Sequence, residues 1–179
     1  MKAQSYLPDF EYKIYPGSET LAIKKRASSP NKSSSDLFLE TLMSRKSIRS
    51  FSPAGISNKT LVRLLELSFG FRYRDDSGLP FRTYPSAGAR YPIEVYAVVL
   101  RGNEMAEGVY HYNVHDNTLE LLKEGDKSAI VSEFYSNQDS LDIASAPCLI
   151  LFSMVYRRTM DKYGEKGYRF ILLDAGHMG

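Results

Sequence analysis

Apolar residues recur at helical spacing in two segments of the first half of the chain. The first segment has leucines at positions 37, 39 and 42, with mostly polar residues around them. Ser35 or Asp36 is its expected N-cap, and the helix should end near Lys46. In the second segment, the apolar positions of one face are Leu61, Leu64, Leu65 and Phe69. Ser57 is the expected cap of this helix and Gly70 is its stop signal.

The middle of the chain has the short apolar and alternating runs that are typical of strands. Three strands are predicted, over Ile93–Leu100, Gly108–Asn113 and Thr118–Lys123. A polar turn at residues 115–117 joins the last two, and residues 72–81 are predicted to form a polar loop. A short helix over 128–135 and a buried strand over 147–154 follow. After Tyr156 the pattern is helical again, with one face formed by Tyr168, Ile171, Leu172 and Ala175.

These elements divide the chain into an irregular N-terminal arm and linker, residues 1–35, and one α+β domain, residues 36–179. A length of 179 residues suits a single buried core. The helical pattern of residues 168–175 is still running where the sequence stops at Gly179. The domain is therefore expected to be incomplete at its C-terminus, as in a truncated chain.

Composition narrows the classes of function. The 23 basic residues are nearly balanced by 21 acidic ones and form no stripe, so a nucleic-acid partner is not expected. Cys148 is the sole cysteine, which excludes an internal disulfide, and its apolar neighbours favour a packed thiol. His111 and His115 lie on and just after a predicted strand rather than on a helix, so no metal site is expected. The absence of a signal peptide and of a membrane-length apolar run favours a cytoplasmic protein without membrane contact.

Two short motifs carry the candidate chemistry. In the first, Arg45–Phe51, three cations lie within five residues beside the hydroxyl of Ser47, a set that suits a phosphate or another oxyanion. In the second, Thr83–Pro92, small residues precede a buried strand, so backbone could approach a flat ligand closely. Together the motifs suggest a phosphorylated cofactor with a planar ring. A solvated basic helix end and an ordinary loop remain the alternative interpretation at this point.

The two motifs resemble the flavin-dependent nitroreductase family. The sequence Arg-Lys-Ser-Ile-Arg after an amphipathic helix is similar to the N-terminal signature of that family. The segment Pro-Ser-Ala-Gly-Ala-Arg-Tyr-Pro, residues 85–92, resembles its SagB-type branch. Three further segments strengthen the resemblance, at residues 108–113, 162–169 and 174–177. The resemblance covers about residues 36–179.

This resemblance implies a fold, a cofactor and a set of binding residues. The family has a mixed, mainly antiparallel sheet flanked by helices, in an intertwined homodimer with FMN at the interface. The positions matching those that hold the FMN phosphate, ribityl chain and pyrimidine edge are Arg45, Lys46, Ser47 and Arg49. The positions matching the loop along the isoalloxazine, which the other subunit contributes, are Pro85, Ser86, Ala87 and Gly88.

The resemblance also implies catalytic residues. Lys162 and Tyr163 match a Lys–Tyr pair associated with catalysis in family members that oxidise azoline rings of modified peptides to azoles. That chemistry needs a base for a ring-carbon proton while a hydride leaves to the flavin. A surface lysine and a packed tyrosine at a helix start are the alternative reading of the same two residues.

Three functions are consistent with the sequence. The first is an FMN-dependent oxidoreductase of the SagB type that acts on a peptide or a small molecule. The second is a general NAD(P)H-dependent nitro, quinone or flavin reductase. The third is a non-catalytic remnant or interaction module, because the family continues beyond the Asp-Ala-Gly-His helix at residues 174–177 with segments that this sequence lacks.

Overall fold

A computed structural model describes residues 34–76, 78–135 and 143–179 of the chain. These residues belong to two compact units, one ending at Lys46 and one starting at Ser47. The described part of the first unit contains helix α1, Ser34–Ser44. Both predicted cap residues therefore lie inside the helix, and Lys46 lies beyond its end, because helix ends are the least determined part of an apolar pattern. Most of the predicted arm, residues 1–33, lies outside the described residues.

The second unit contains an α+β fold, as predicted. Its strands are β1 Ile56–Ser57, β2 Phe71–Arg74, β3 Pro80–Arg82, β4 Ile93–Val99, β5 Gly102–Asn103, β6 Gly108–Asn113, β7 Thr118–Glu124 and β8 Cys148–Met154. Its helices are α2 Asn58–Phe69, α3 Ser128–Phe134, α4 Arg157–Tyr163 and α5 Gly167–Met178. Short 3-10 turns occur at Ala87–Ala89, Ile143–Ser145 and Gly164–Lys166.

The main sheet has four antiparallel strands in the order β7-β6-β4-β8. Strand β4 is central, and Ala97 lies opposite Tyr110 of β6 and Ile150 of β8. The predicted strands at 93–100, 108–113 and 118–123 are confirmed within a residue at each end. The predicted strand at 147–154 also forms, but it is not buried: it lies at a sheet edge in the described part of the chain, and Leu151 is 41% exposed.

Helix α2 packs on this sheet and forms much of the core. The Ser57 side chain accepts a hydrogen bond from the backbone N–H of Thr60 at 3.2 Å, and Gly70 ends the helix, so both predicted end signals are confirmed. Leu61 and Leu65 are fully buried against residues such as Val95, Ala97 and Tyr112 of β4 and β6. The predicted apolar face is wrong in one position, because Leu64 is 45% exposed and points away from the core.

The predicted polar loop at 72–81 is wrong, because strands β2 and β3 pair there as an antiparallel hairpin. Aromatic and cationic residues alternate in Phe71–Arg74, but the two strands have only four and three residues, so the strand signal was too short to stand out from a polar loop. The hairpin instead has aromatic and cationic contacts: the Tyr73 and Phe81 rings stack at 5.0 Å, and the Arg74 guanidinium lies over the Phe71 ring at 5.5 Å. Such pairs stabilise a hairpin whose faces are both largely open to water.

Helix α5 packs on the core through a narrower face than predicted. Ile171 is fully buried, whereas Tyr168 and Leu172 are 48% and 62% exposed. Asp174, three residues after Ile171 on the same side of the helix, is a buried carboxylate that is 4% exposed. In the described part of the chain, no helix combines the length and the apolar character required to cross a bilayer.

Candidate active site

The loop before β4 has an unusual backbone. Gly88, Ala89 and Tyr91 have φ of 61°, 53° and 45°. Glycine adopts this left-handed region freely, but each L-residue there costs roughly 1–2 kcal/mol. A conformation of this kind persists only where surrounding contacts fix it, and such segments are common at functional sites.

A buried carboxylate fixes the start of this loop. The Ser86 hydroxyl donates to Asp174 Oδ2 at 2.5 Å, and the backbone N–H of Ala87 points at Asp174 Oδ1 at 3.3 Å. Asp174 comes from α5, which is 88 residues further along the chain than Ser86. The Ser86 hydroxyl also accepts a hydrogen bond from the backbone N–H of Tyr91 at 2.9 Å. One serine therefore links both ends of the strained loop to the buried acid.

Tyr91 fixes the other end of the loop to the β2–β3 hairpin. Its hydroxyl accepts a hydrogen bond from the backbone N–H of Arg82 at 3.0 Å, and the Arg82 guanidinium lies over its ring at 4.9 Å. The Tyr84 ring meets the Tyr91 ring edge to face at 5.5 Å. The backbone carbonyl of Tyr91 accepts a hydrogen bond from the Arg158 guanidinium on α4 at 3.0 Å. Burial raises the pKa of Tyr84, which therefore stays neutral in this packing.

Lys162 and Tyr163 converge on Gly88 from the end of α4. A β-carbon at Gly88 would lie 2.7 Å from Lys162 Nζ and even closer to the Tyr163 hydroxyl. The Lys162 ammonium lies 5.3 Å from the centre of the Tyr163 ring, and that ring packs edge to face on Phe170 at 4.9 Å. Thus the chain places an amine, a phenol and a side-chain-free backbone position at one point of the loop.

A cavity of about 280 Å³ borders the anchored serine. It is lined by Pro85, Ser86, Ala87, Phe170, Leu173, Asp174 and His177. The loop residues predicted to lie along a flavin therefore open onto space that a flat group could enter. His177 lines the cavity, but Ser86 hydrogen-bonds to Asp174 and Tyr91 and to no described histidine, so the arrangement is not that of a serine hydrolase.

The basic motif is divided between the two units. Arg45 and Lys46 belong to the first unit, and Ser47 and Arg49 belong to the second. All four residues are exposed. Among the residues that the structure describes, Ser47 and Arg49 form no hydrogen bond or ion pair with the loop at 85–88. The structure thus brings together the predicted loop and the predicted Lys–Tyr pair, whereas the phosphate motif remains a prediction.

A network of charged residues extends from α4 across the sheet. Arg158 forms an ion pair with Glu94 on β4, and Glu94 lies 3.0 Å from one ring nitrogen of His111. The other ring nitrogen lies 2.8 Å from Glu120 on β7. Burial alone would lower the pKa of His111, but the hydrogen bonds to Glu120 and Glu94 outweigh it and raise that pKa. Each ring nitrogen of His111 therefore contacts one carboxylate. The described residues contain no group of three or more His, Cys, Asp or Glu side chains arranged to hold a metal ion.

Sequence reasoning missed two residues of this site. Asp174 was noted only as part of the Asp-Ala-Gly-His segment at residues 174–177. Its sequence neighbours do not show that it accepts hydrogen bonds from a loop 88 residues away. Arg158 was one of several basic residues after Tyr156. Its position one helical turn before Lys162 was the available signal, because residues at i and i+4 share a helix face. Cys148 is half-buried and its pKa is raised by burial, in keeping with a packed thiol.

Comparison with known proteins now adds to this geometry. The sequence profile of the nitroreductase family matches residues 42–179. The chain belongs to the nitroreductase family. This nitroreductase domain is 30% identical over 142 residues to a nitroreductase-type protein of Methanocaldococcus jannaschii, and the match covers 78% of this chain and 67% of that one.

This nitroreductase domain is also similar to a microcin-processing protein and to a chain of a solved microcin synthetase complex. The microcin B17-processing protein McbC of Escherichia coli is 29% identical over 127 residues, which are 69% of this chain and 45% of McbC. The E. coli microcin synthetase McbBCD complex, solved with truncated pro-MccB17 bound, gives a TM-score of 0.60 at 27% identity. That alignment covers 91% of this chain and 61% of the solved one. The chain thus spans about half to two thirds of the length of these relatives.

Proposed function

We propose that this nitroreductase-family chain is an FMN-dependent oxidoreductase of the SagB type that oxidises azoline rings in a modified peptide. The observation that carries the proposal is the convergence of Lys162 and Tyr163 on Gly88. The amine is a candidate base, and the loop is the segment expected to face the flavin. Membership of an oxidoreductase family and similarity to a microcin-processing protein support the same reading.

The loop residues fit a planar cofactor. Gly88 has no side chain, Ala87 has only a methyl group, and the backbone around them is fixed by Asp174 and Tyr91. A flat ring could therefore approach the main chain at Ala87, which lines the cavity, while Lys162 and Tyr163 occupy the space beside Gly88. Arg45, Lys46, Ser47 and Arg49 would hold the phosphate and ribityl groups of FMN, since guanidinium groups bind phosphate with two parallel hydrogen bonds. When bound, FMN supplies the hydride acceptor.

Lys162 and Tyr163 would then divide the proton chemistry between them. The Lys162 side chain, in its neutral form, takes the ring-carbon proton of the azoline at Nζ. Tyr163 is fixed by its ring contact with Phe170, and its hydroxyl reaches the same point of the loop as the amine. The phenol would orient the amine or share its proton. Gly88 leaves the space into which both groups project.

The substrate and the assembly belong to the same proposal. The McbBCD complex was solved with a truncated peptide precursor bound, which supports a peptide substrate and partner proteins for this chain. A homodimer is supported by α5, where Tyr168, Leu172 and Leu173 are 48–62% exposed although they are large and apolar. The proposal also includes a cytoplasmic location, which is inferred from the sequence alone.

Anaerobic flavin reduction tests the role of Lys162. Purified Lys162→Ala should still bind FMN but should reduce it about a hundred- to ten-thousand-fold more slowly when mixed with a pre-formed thiazoline peptide. Stopped-flow absorbance of the flavin measures this step, and reoxidation by oxygen should be unchanged. Lys166→Ala, an exposed lysine in the next turn, is the matched control.

Lys162 is exposed in the structure, and flavin reduction at the parent rate in Lys162→Ala would remove the base from the proposal. If thiazoline peptides fail with the parent chain while NADH or NADPH reduces its flavin, the chain is a general reductase instead. A parent chain that remains colourless with excess FMN would contradict the flavin-dependent function as a whole.

A further inference from the structure

A second cavity, of about 340 Å³, lies between the β2–β3 hairpin and the far end of the strained loop. Its volume is within the range of ligand pockets, roughly 300–1,000 Å³. Four of its lining residues are arginines: Arg74, Arg82, Arg90 and Arg158. It shares no lining residue with the cavity at Pro85–Ala87. The two cavities therefore lie at opposite ends of one loop.

The positive charge of this cavity is largely uncompensated. Arg158 forms an ion pair with Glu94, but Arg82 and Arg90 form no ion pair with a carboxylate among the described residues. Arg82 donates to the neutral Tyr84 hydroxyl at 3.3 Å, and Arg74 donates to the backbone carbonyl of Gly78 at 2.9 Å. These contacts hold the side chains in place without neutralising them. Arg90 is exposed and lines the same cavity. A cluster of guanidinium groups beside apolar walls favours an anionic guest.

We propose that this cavity binds a small organic anion through a phosphate or carboxylate group. The guanidinium groups of Arg82 and Arg90 would hold the anionic group, since both keep donors without a carboxylate partner. Phe71 and Val114 provide apolar contact for the rest of the ligand. The volume is about ten times the roughly 30 Å³ that a water molecule takes up in the liquid, so the cavity admits more than an inorganic ion. This site is separate from the proposed flavin chemistry and stands or falls independently of it.

Calorimetric titration at low ionic strength tests the site with three probes: phenyl phosphate, benzoate and inorganic phosphate. Phenyl phosphate should bind one molecule per chain and more tightly than inorganic phosphate, because it also fills the apolar part. Comparison with benzoate shows whether phosphate or carboxylate is preferred. Arg90→Gln should weaken phenyl phosphate binding about tenfold or more, and binding should also weaken as salt increases. Arg74→Gln should also weaken phenyl phosphate binding. Arg72→Gln is the matched control, because Arg72 is on the same strand but does not line the cavity.

Three results would overturn the proposal. The first is no saturable binding of any probe to the parent chain. The second is equal affinity for phenyl phosphate in the parent, Arg90→Gln and Arg74→Gln, or a loss of affinity in Arg72→Gln as large as in those variants. Either result would show diffuse attraction to the surface. The third is displacement of phenyl phosphate by FMN but not by riboflavin, which would assign the cavity to the cofactor phosphate. Circular dichroism of each variant shows that a loss of binding is not a loss of fold.

Discussion

Removing the charge of Asp174 should release the strained loop. Asp174→Asn keeps the size of the side chain but cannot accept from both donors, since one of its two terminal atoms becomes an N–H donor. The shorter bond, from Ser86 at 2.5 Å, is charge-assisted, while the bond from Ala87 at 3.3 Å is weak. A hydrogen bond to a charged group contributes about 1.5–3 kcal/mol, so we expect a loss of about 2 kcal/mol in the free energy of unfolding.

Urea unfolding followed by circular dichroism measures this loss, with Asp161→Asn as the control because Asp161 is exposed on α4. The double variant Ser86→Ala/Asp174→Asn should lose clearly less than the sum of the two single losses, with a coupling of about 1 kcal/mol or more. If Asp174→Asn unfolds at the parent urea concentration, or if the two losses simply add, the carboxylate does not anchor the loop and the reasoning is refuted.

Two further predictions concern Gly88 and His111. Gly88→Ala should lose more stability than Gly78→Ala. Both glycines have positive φ, but only a β-carbon at Gly88 would meet Lys162 and Tyr163. Equal urea midpoints for the two variants would contradict the contact. The pKa of His111 is raised above its ordinary value of 6.5 by Glu94 and Glu120, so its stabilisation is fully present below pH 6.5 and is lost as the pH rises through the folded-state pKa. Thermal midpoints should therefore fall over that window in the parent and stay flatter in His111→Gln; parallel curves would exclude the network.

The parts of the fold that follow from local pattern were predictable from sequence. The cap at Ser57, the stop at Gly70 and the four strands of the main sheet are set by neighbouring residues, and the structure contains them. The β2–β3 hairpin was missed because its strands have only four and three residues and its contacts join aromatic rings and guanidinium groups. Similarly, the pattern of α2 included Leu64, since spacing alone does not decide how wide a buried face is.

The candidate site divides in the same way. The loop at 85–88 and the pair Lys162–Tyr163 were each suggested by resemblance, and the structure places them side by side. Asp174, which holds Ser86 and Ala87, and Arg158, which holds the carbonyl of Tyr91, were not found, because each binds a residue at least 67 positions away. A single sequence carries no signal for such distant hydrogen bonds, whereas a folded chain shows them directly.

The distance along the chain between Ser86 and Asp174 also sets an order of events during synthesis. At about 5–20 residues per second, the ribosome adds the 88 residues that separate them in roughly 4–18 s. Strands β4, β6 and β7 can pair in that interval, but the loop lacks its acceptor until α5 has emerged. The anchor of the candidate site is therefore synthesised after most of the sheet that carries the loop, so the loop cannot be held by Asp174 until α5 is available.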